Sequence, residues 1–217
     1  LCWREADAPY VAINCGAVPE ALAESLLFGH ERGAFTSARE RQHGKFETAR
    51  RGTLFLDEIQ GLSPSIQIKL LRVIQHREFE RLGAKASAAV DCQIVTATNI
   101  PLELLVDRQQ FRRDLYYRLN ICPIYLPSLR QRKEDLPRIV EGLLKRLCSQ
   151  YRLTPRTLSA GAMKLIHDYN WPGNVRELEH SLLYGALRTE QTIEASHLPG
   201  GLTGQLANYL SAGTWDY

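Results

Sequence analysis

The chain has 217 residues, a net charge of +3, 44% hydrophobic and 24% charged residues, enough for one α/β domain plus a small helical one. No stretch is long and apolar enough to cross a membrane as a helix, and the N-terminus lacks the basic-then-apolar pattern of a secretory leader, which predicts a soluble, cytoplasmic protein. So small a charge, without a clustered basic face, argues against direct contact with nucleic acid, and the five cysteines (Cys2, Cys15, Cys92, Cys122, Cys148), odd in number and without C-x-x-C spacing, read as reduced, mostly buried thiols.

Four short apolar runs read as buried strands of a parallel sheet: Tyr10 to Asn14, Thr53 to Leu56, Cys92 to Thr96 and Ile121 to Leu126. Helical stretches separate them, the alternation of βαβ units. The clearest helix takes Ser63 as its N-cap and Pro64 at its first position, then sets Ile66, Leu70, Val73 and Ile74 on one face. It ends before the polar stretch Arg81 to Lys85. From about Gln131 the strand signals stop, and three helical patterns follow, Leu136 to Tyr151, Ser159 to Tyr169 and Asn174 to Thr189. This divides the chain into an α/β core over residues 1–130, a helical domain over 131–198 and a tail or linker over 199–217. In the tail, Leu202, Leu206 and Leu210 have the i, i+4 spacing of a short amphipathic helix. No internal repeat is present.

The second strand runs straight into Asp57-Glu58, so two carboxylates stand at the C-terminal edge of a buried parallel strand, where open α/β sheets place their ligands. Three hydrophobes followed by Asp-Glu is the Walker B arrangement. It suits an Asp57 that holds a Mg2+ ion on nucleotide phosphates and a Glu58 that orients the attacking water. The plainer reading is an acidic pair that ends a strand or caps the next helix. The third strand leads to Ala97-Thr98-Asn99, where the Asn99 amide can donate to a phosphate oxygen and accept from water. Asn99 before Ile100-Pro101 equally fits a turn.

The hexapeptide Gly33-Ala34-Phe35-Thr36-Ser37-Ala38, reached through Glu24-Ser25-Leu26-Leu27-Phe28-Gly29-His30-Glu31-Arg32, is an odd choice for a core helix, because Gly33 weakens it and Phe35 has no apolar partners at helical spacing. It resembles the GAFTGA loop of bacterial enhancer-binding proteins, the NtrC-class AAA+ ATPases that activate sigma-54 RNA polymerase. Phe111-Arg112-Arg113-Asp114-Leu115-Tyr116-Tyr117-Arg118-Leu119 is similar to that family's FRxDLYYRL segment, and Trp171-Pro172-Gly173-Asn174-Val175-Arg176-Glu177-Leu178 to its WPGNVREL sensor II signature. The resemblance covers about residues 10 to 198, with the motifs in the family's order.

The resemblance implies an AAA+ parallel-sheet core followed by an all-α lid, ATP and Mg2+ as ligands, and a homo-oligomeric ring, hexamer or heptamer, that acts on sigma-54 RNA polymerase. It casts Glu58, Arg112 and Arg118 as catalytic, the two arginines as fingers reaching the neighbouring subunit's nucleotide. A guanidinium suits that task because it stays charged and presents a planar fork to phosphate. Asn99 becomes sensor I, Arg176 sensor II, Asn14 a switch that holds Glu58 back, and residues 33 to 38 the contact with sigma-54. Asn174 is expected to cap the helix carrying Arg176, and Trp171 to be a core aromatic. An Asn at a strand end is, on its own, a turn residue.

The family's phosphate loop, G-x-x-x-x-G-K-[ST], does not occur in this sequence. In the family it precedes the strand matching Tyr10 to Asn14, and the chain starts at Leu1, so a fragment of a longer product is expected, with hydrolysis and nucleotide binding weak or absent in it. DNA contact is expected only through a helix-turn-helix domain that is not in this chain. Ser37 replaces the second Gly of the loop, Arg50-Arg51 bring positive charge before the Walker B strand, and Gly83 to Asp91 is bland. Two other readings stand beside the motor: a truncated, non-hydrolysing interaction module of the same family, and a generic AAA+ unfoldase or chelatase subunit, which has no use for Phe35 and Thr36.

Overall fold

The computed structural model describes residues 7–36 and 38–202. Ser37 and the tail residues Leu206 and Leu210 fall outside them. The chain divides into two compact units, residues 1–123 and 124–217.

The first unit is built on three parallel strands, β1 (Tyr10–Asn14), β4 (Thr53–Asp57) and β7 (Gln93–Thr96), in the order β1-β4-β7. Asn14 pairs with Asp57, and Leu56 with both Ile13 and Thr96. Between β1 and β4 come α1 (Glu20–Phe28), the two-residue strands β2 (Gly29–His30) and β3 (Gln42–His43), and α2 (Lys45–Thr48). Between β4 and β7 come α3 (Pro64–His76) and the hairpin strands β5 (Glu78–Glu80) and β6 (Ser87–Ala89). Two short helices follow, α4 (Leu102–Asp107) and α5 (Arg113–Leu119).

Side chains alternate across a strand, so one sheet face collects Ile13, Leu54 and Leu56, which are buried in one core with Ile66, Leu70 and Val73 of α3. The other face carries Tyr10, Ala12, Phe55 and Val95. Tyr10 and Val95 are exposed and Tyr10 stacks on Phe55. The three strands are therefore buried on one face only, where the composition had suggested both.

The fourth expected strand, Ile121 to Leu126, is not a strand. Ile121, Ile124, Tyr125 and Leu126 are 79 to 86% exposed. Strand composition needs a neighbouring ladder to become a strand, no described residue pairs with this segment, Pro123 removes one of its donors, and Pro127 follows directly after it. Ser63 stands at the N-cap position of α3, as expected. Pro64 opens α3, but the Ser63 hydroxyl bonds to that of Ser65 rather than to a helix amide.

The two hairpins of this unit are fastened together. The Glu31 N–H donates to the Leu82 carbonyl and the Leu82 N–H to that of Gly29, both at 3.0 Å. Beneath them Phe28, Phe46 and Phe79 form a ring cluster. Over it, Arg81 makes a two-pronged contact with Glu47 (2.8 and 2.7 Å) and reaches Glu31 at 3.3 Å, and His43 Nδ1 lies 2.7 Å from Glu47. Arg81 and Glu47 side chains are only 16 and 17% exposed, so the pair is poorly screened.

The second unit packs α6 (Leu136–Gln150), α7 (Ala160–Asp168) and α8 (Asn174–Ala186) around Leu136, Ile166, Trp171, Leu178 and Leu182. Ser159 caps α7 by accepting from the Ala162 N–H. Two parallel two-residue strands, β8 (Thr157–Leu158) and β9 (Thr192–Ile193), also pair here, too short to leave a periodic signal. Arg156 holds this edge by donating to the carbonyls of Thr154, Ala186 and Glu190. Asn174 is not the cap expected of it. Gly173 precedes the helix, and Asn174, at φ 50, turns its Oδ1 to the Leu129 N–H.

The Arg81 guanidinium and, next, His43 hold the Glu47 carboxyl down from 4.5 to about 2 against its burial. A depressed acid stabilises the fold fully above its unfolded value and loses that contribution as pH falls towards the folded one. Acid titration followed by circular dichroism should therefore show a loss of stability on the order of 3 kcal/mol between about pH 4.5 and pH 2. Arg81→Met should flatten that limb. An acid limb identical in wild type and variant would contradict the coupling of Glu47 to Arg81.

Candidate functional site

Parallel pairing brings the C-terminal ends of β1, β4 and β7 to one edge of the sheet. The Cys15 N–H donates to the Asp57 carbonyl at 2.8 Å and the Ile59 N–H to that of Ala97 at 3.0 Å, so the loops leaving all three strands start side by side. Asn14, Asp57, Glu58 and the turn holding Asn99 stand there.

Asp57 and Glu58 are half-buried. One Asp57 oxygen, Oδ1, accepts the Glu58 N–H at 2.9 Å, which fixes the carboxylate and leaves Oδ2 for another partner. Glu58 lies in the left-handed region, φ 50 and ψ 48. For a side chain of this size that costs about 1 to 3 kcal/mol, and the fully buried Ile59 beside it holds the bend in place. The bend turns the Glu58 carboxylate back over Gly16. A β-carbon on Gly16 would fall 2.4 Å from Glu58 Oε2 and 3.4 Å from Asn14 Oδ1, so a larger residue there would push the Glu58 carboxylate out of this position.

Asn14 Oδ1 accepts from the Gly16 and Ala17 N–H groups at 2.9 and 3.0 Å. This is the turn role, and no Asn14–Glu58 hydrogen bond occurs among the described residues. Asn99 Oδ1 accepts from Gln60 Nε2 at 2.8 Å, which leaves its NH2 as donor. Gln60 Oε1 is buried without a partner. Sequence pattern does not single out Gln60, although its place three residues after Asp57 puts it within one turn of the acids. Gly16 goes unmarked for a similar reason: its meaning is a contact, not a spacing.

The two arginines differ. The Arg112 guanidinium makes a two-pronged bond to Asp114 (3.0 and 2.7 Å), and its backbone N–H donates to Gln67 Oε1 at 2.9 Å. Gln67, 1% exposed within the apolar face of α3, also donates to the Leu62 and Gln110 carbonyls and so pins the start of α5. Arg118, near the far end of α5, is exposed and has no ion pair among the described residues. Both side chains reach the surface. In the second unit Arg176 is exposed on the first turn of α8, while Trp171 is 1% exposed and donates its Nε1–H to the Ile166 carbonyl.

The Phe35 loop is a closed turn. The Gly33 N–H donates to the Ala38 carbonyl at 2.8 Å and the Ala38 N–H to that of Phe35 at 2.9 Å, with Gly33 at φ 83, a conformation reserved for glycine. Gly33 and Thr36 are exposed, Phe35 is 37% exposed, Ala34 is half-buried and Ala38 is buried.

Cys15 lies beneath the acids, 4% exposed. Burial first, then the charges of Asp57 and Glu58, push its thiol up to about 11. At pH 8 iodoacetamide should therefore modify the exposed Cys122 and spare Cys15, as read by peptide mass spectrometry. Equal labelling of the two would show that Cys15 is not buried at the sheet edge as described.

Residues 2–125 match the model of the sigma-54 interaction domain, and residues 130–211 that of an AAA+ ATPase lid domain. The chain is 49% identical over 190 residues to a Nif-specific regulatory protein of Herbaspirillum seropedicae, covering 85% of this chain and 35% of that protein. It is 45% identical over 199 residues to the transcriptional regulatory protein ZraR of Salmonella typhimurium, covering 91% and 45%. It spans roughly a third to a half of the length of these relatives. Among solved structures it is similar to NtrX of Brucella abortus in complex with ADP, at a TM-score of 0.85 and 29% identity over 96% of this chain and 48% of that one. The same protein in complex with ATP gives 0.84 and 31%, over 92% and 44%. With an acid pair at the edge of a parallel sheet and a helical unit following in the sequence, the chain belongs to the sigma-54 interaction domain family of AAA+ ATPases.

Proposed function

We propose that this chain is the motor segment of a sigma-54-dependent transcriptional activator, in which ATP hydrolysis within a ring of copies moves the Phe35–Thr36 loop against sigma-54 RNA polymerase. The observation that carries the reading is the packing of Glu58, Asn14 and Gly16 around one point at the sheet edge, in the same unit as an exposed Phe-Thr turn.

Each residue has a task its surroundings suit. Glu58 orients the attacking water and draws on its proton; the left-handed bend points its carboxylate over Gly16 rather than along the strand. Asp57, one oxygen tied to its neighbour's amide and the other available, fits a Mg2+ ligand. That ion, when bound, supplies charge neutralisation on the phosphates. Asn99 donates its NH2 to a terminal phosphate oxygen while Gln60 holds the other end of the amide. Asn14, its oxygen engaged in the turn, keeps its amide nitrogen for a second position in which it holds Glu58 until nucleotide or partner releases it. Arg118 extends to the nucleotide of the adjacent copy, and Arg112 joins it by leaving Asp114. Arg176 reports on the phosphate from the lid. Gly33 to Ala38, with Ser37 among them, face sigma-54. A head-to-tail contact of this kind closes into a ring.

The phosphate-cradling loop is not among these 217 residues. ATP turnover is therefore assigned to the polypeptide that combines this segment with such a loop, and the 217-residue chain alone is expected to show no ATP binding by calorimetry. Tight binding by the chain would contradict that assignment.

In an ATP-hydrolysing protein carrying this segment, Glu58→Ala should leave ATP binding intact and cut phosphate release by roughly 10² to 10⁴, and Arg118→Ala should cut it by roughly 10³ to 10⁵. Turnover retained by Glu58→Ala would show that Glu58 does not activate the water. Thr36→Ala should hydrolyse ATP at the normal rate and fail to associate with sigma-54 in a gel-shift assay; undiminished association would defeat the loop assignment.

A further inference from the structure

His30 is one of the few buried polar side chains of the first unit, 7% exposed, and its Nδ1 lies 2.8 Å from the hydroxyl of Ser25 on α1, itself 8% exposed. Its backbone is held from two sides, paired with Gln42 across β2 and β3 and bridged to Leu82 of the second hairpin. Five residues on, the Phe35 ring meets the His30 ring edge to face, 4.8 Å between centroids at 61°. The imidazole cannot follow the loop. Phe35 can, because its exposed turn starts at Gly33, at φ 83 and with nothing within 4 Å of where a β-carbon would stand.

We propose that His30 is a positioning residue, a fixed seat on which the Phe35 ring rests, so that the loop presents its phenyl face to a partner when Phe35 leaves the imidazole. This rests on the assignment of the Phe35–Thr36 turn as the partner-contacting element. An edge-to-face pair of this kind shifts the ratio of seated to released loop by roughly 2- to 10-fold, enough to define a resting position and small enough for partner binding or ring motion to overcome. Ser25 has a part in it: its hydroxyl fixes the rotation of the imidazole and ties the seat to α1, the helix that follows the Asn14 turn at the acid site.

The test is amide hydrogen exchange on the 217-residue chain, read at Gly33 and Ala38, whose bonds close the turn, with Leu54 and Leu56 of β4 as the measure of the fold. His30→Ala should raise exchange at Gly33 and Ala38 by about 2- to 10-fold with β4 unchanged, and His30→Phe, which keeps a ring, should restore slow exchange. Unchanged rates in His30→Ala, or fast exchange in His30→Phe, would overturn the seat. Should His30→Ala also loosen β4, the surface variant Phe35→Ala decides: a shift of the His30 imidazole proton resonances supports the contact, and unmoved resonances overturn it. Sigma-54 association of the chain should rise in His30→Ala. Faster exchange with no sigma-54 binding by any variant would support the seat and overturn the partner assignment.

Discussion

Parallel register is the constraint from which the rest follows. Because β1, β4 and β7 run the same way, with Asn14 opposite Asp57 and Leu56 opposite Thr96, their three exits lie at one edge. The backbone bonds from Cys15 to Asp57 and from Ile59 to Ala97 hold those exits a strand's width apart. An antiparallel arrangement of the same sequences would scatter Asn14, the acid pair and Asn99 over both edges. Within this edge the bend at Glu58 turns the carboxylate over Gly16, and the thiol of Cys15 beneath it is raised by burial first and by the charges of Asp57 and Glu58 next.

The same unit couples that edge to the surface through a short path of chain. From the Asn14 turn the backbone enters α1, passes Ser25 and emerges at His30, where the two hairpins meet. Arg81 and Glu47 clamp the hairpins from outside while Phe28, Phe46 and Phe79 fill the inside, so the base of the Phe35 turn is braced, while its tip is held, among the described residues, by backbone bonds from Gly33, Ala34 and Ala38 and by the ring contact of Phe35 with His30. A stiff base and a lightly held tip are what a loop needs if small movements at the sheet edge are to be delivered to a partner.

Much of this was legible in the sequence because it depends on local pattern. Runs such as Leu54-Phe55-Leu56 before Asp57-Glu58, and Ile66, Leu70 and Val73 at helical spacing, fix strands, helices and the acid pair without reference to distant parts of the chain. What stayed hidden depends on distant neighbours. Ile121 to Leu126 has the residues of a strand and lacks a ladder. Asn174 has the chemistry of a helix cap and spends it on Leu129. Gln67 is a polar residue on the apolar face of α3, and what it does there, pinning the start of α5, depends on a partner 45 residues away. The Arg112–Asp114 pair spans only two residues, but it forms because α5 begins between them.

The proposed motor function requires that the sheet edge be where nucleotide phosphates and their metal sit. The most direct measurement is paramagnetic broadening of amide resonances by Mn2+ and ATP in a polypeptide that joins this segment to a phosphate loop. Selective broadening at Gly16, Asp57, Glu58 and Asn99, lost in Asp57→Asn and absent at Ser87 of the second hairpin, is the predicted result. Broadening that leaves those four amides untouched, or that survives Asp57→Asn unchanged, would contradict it.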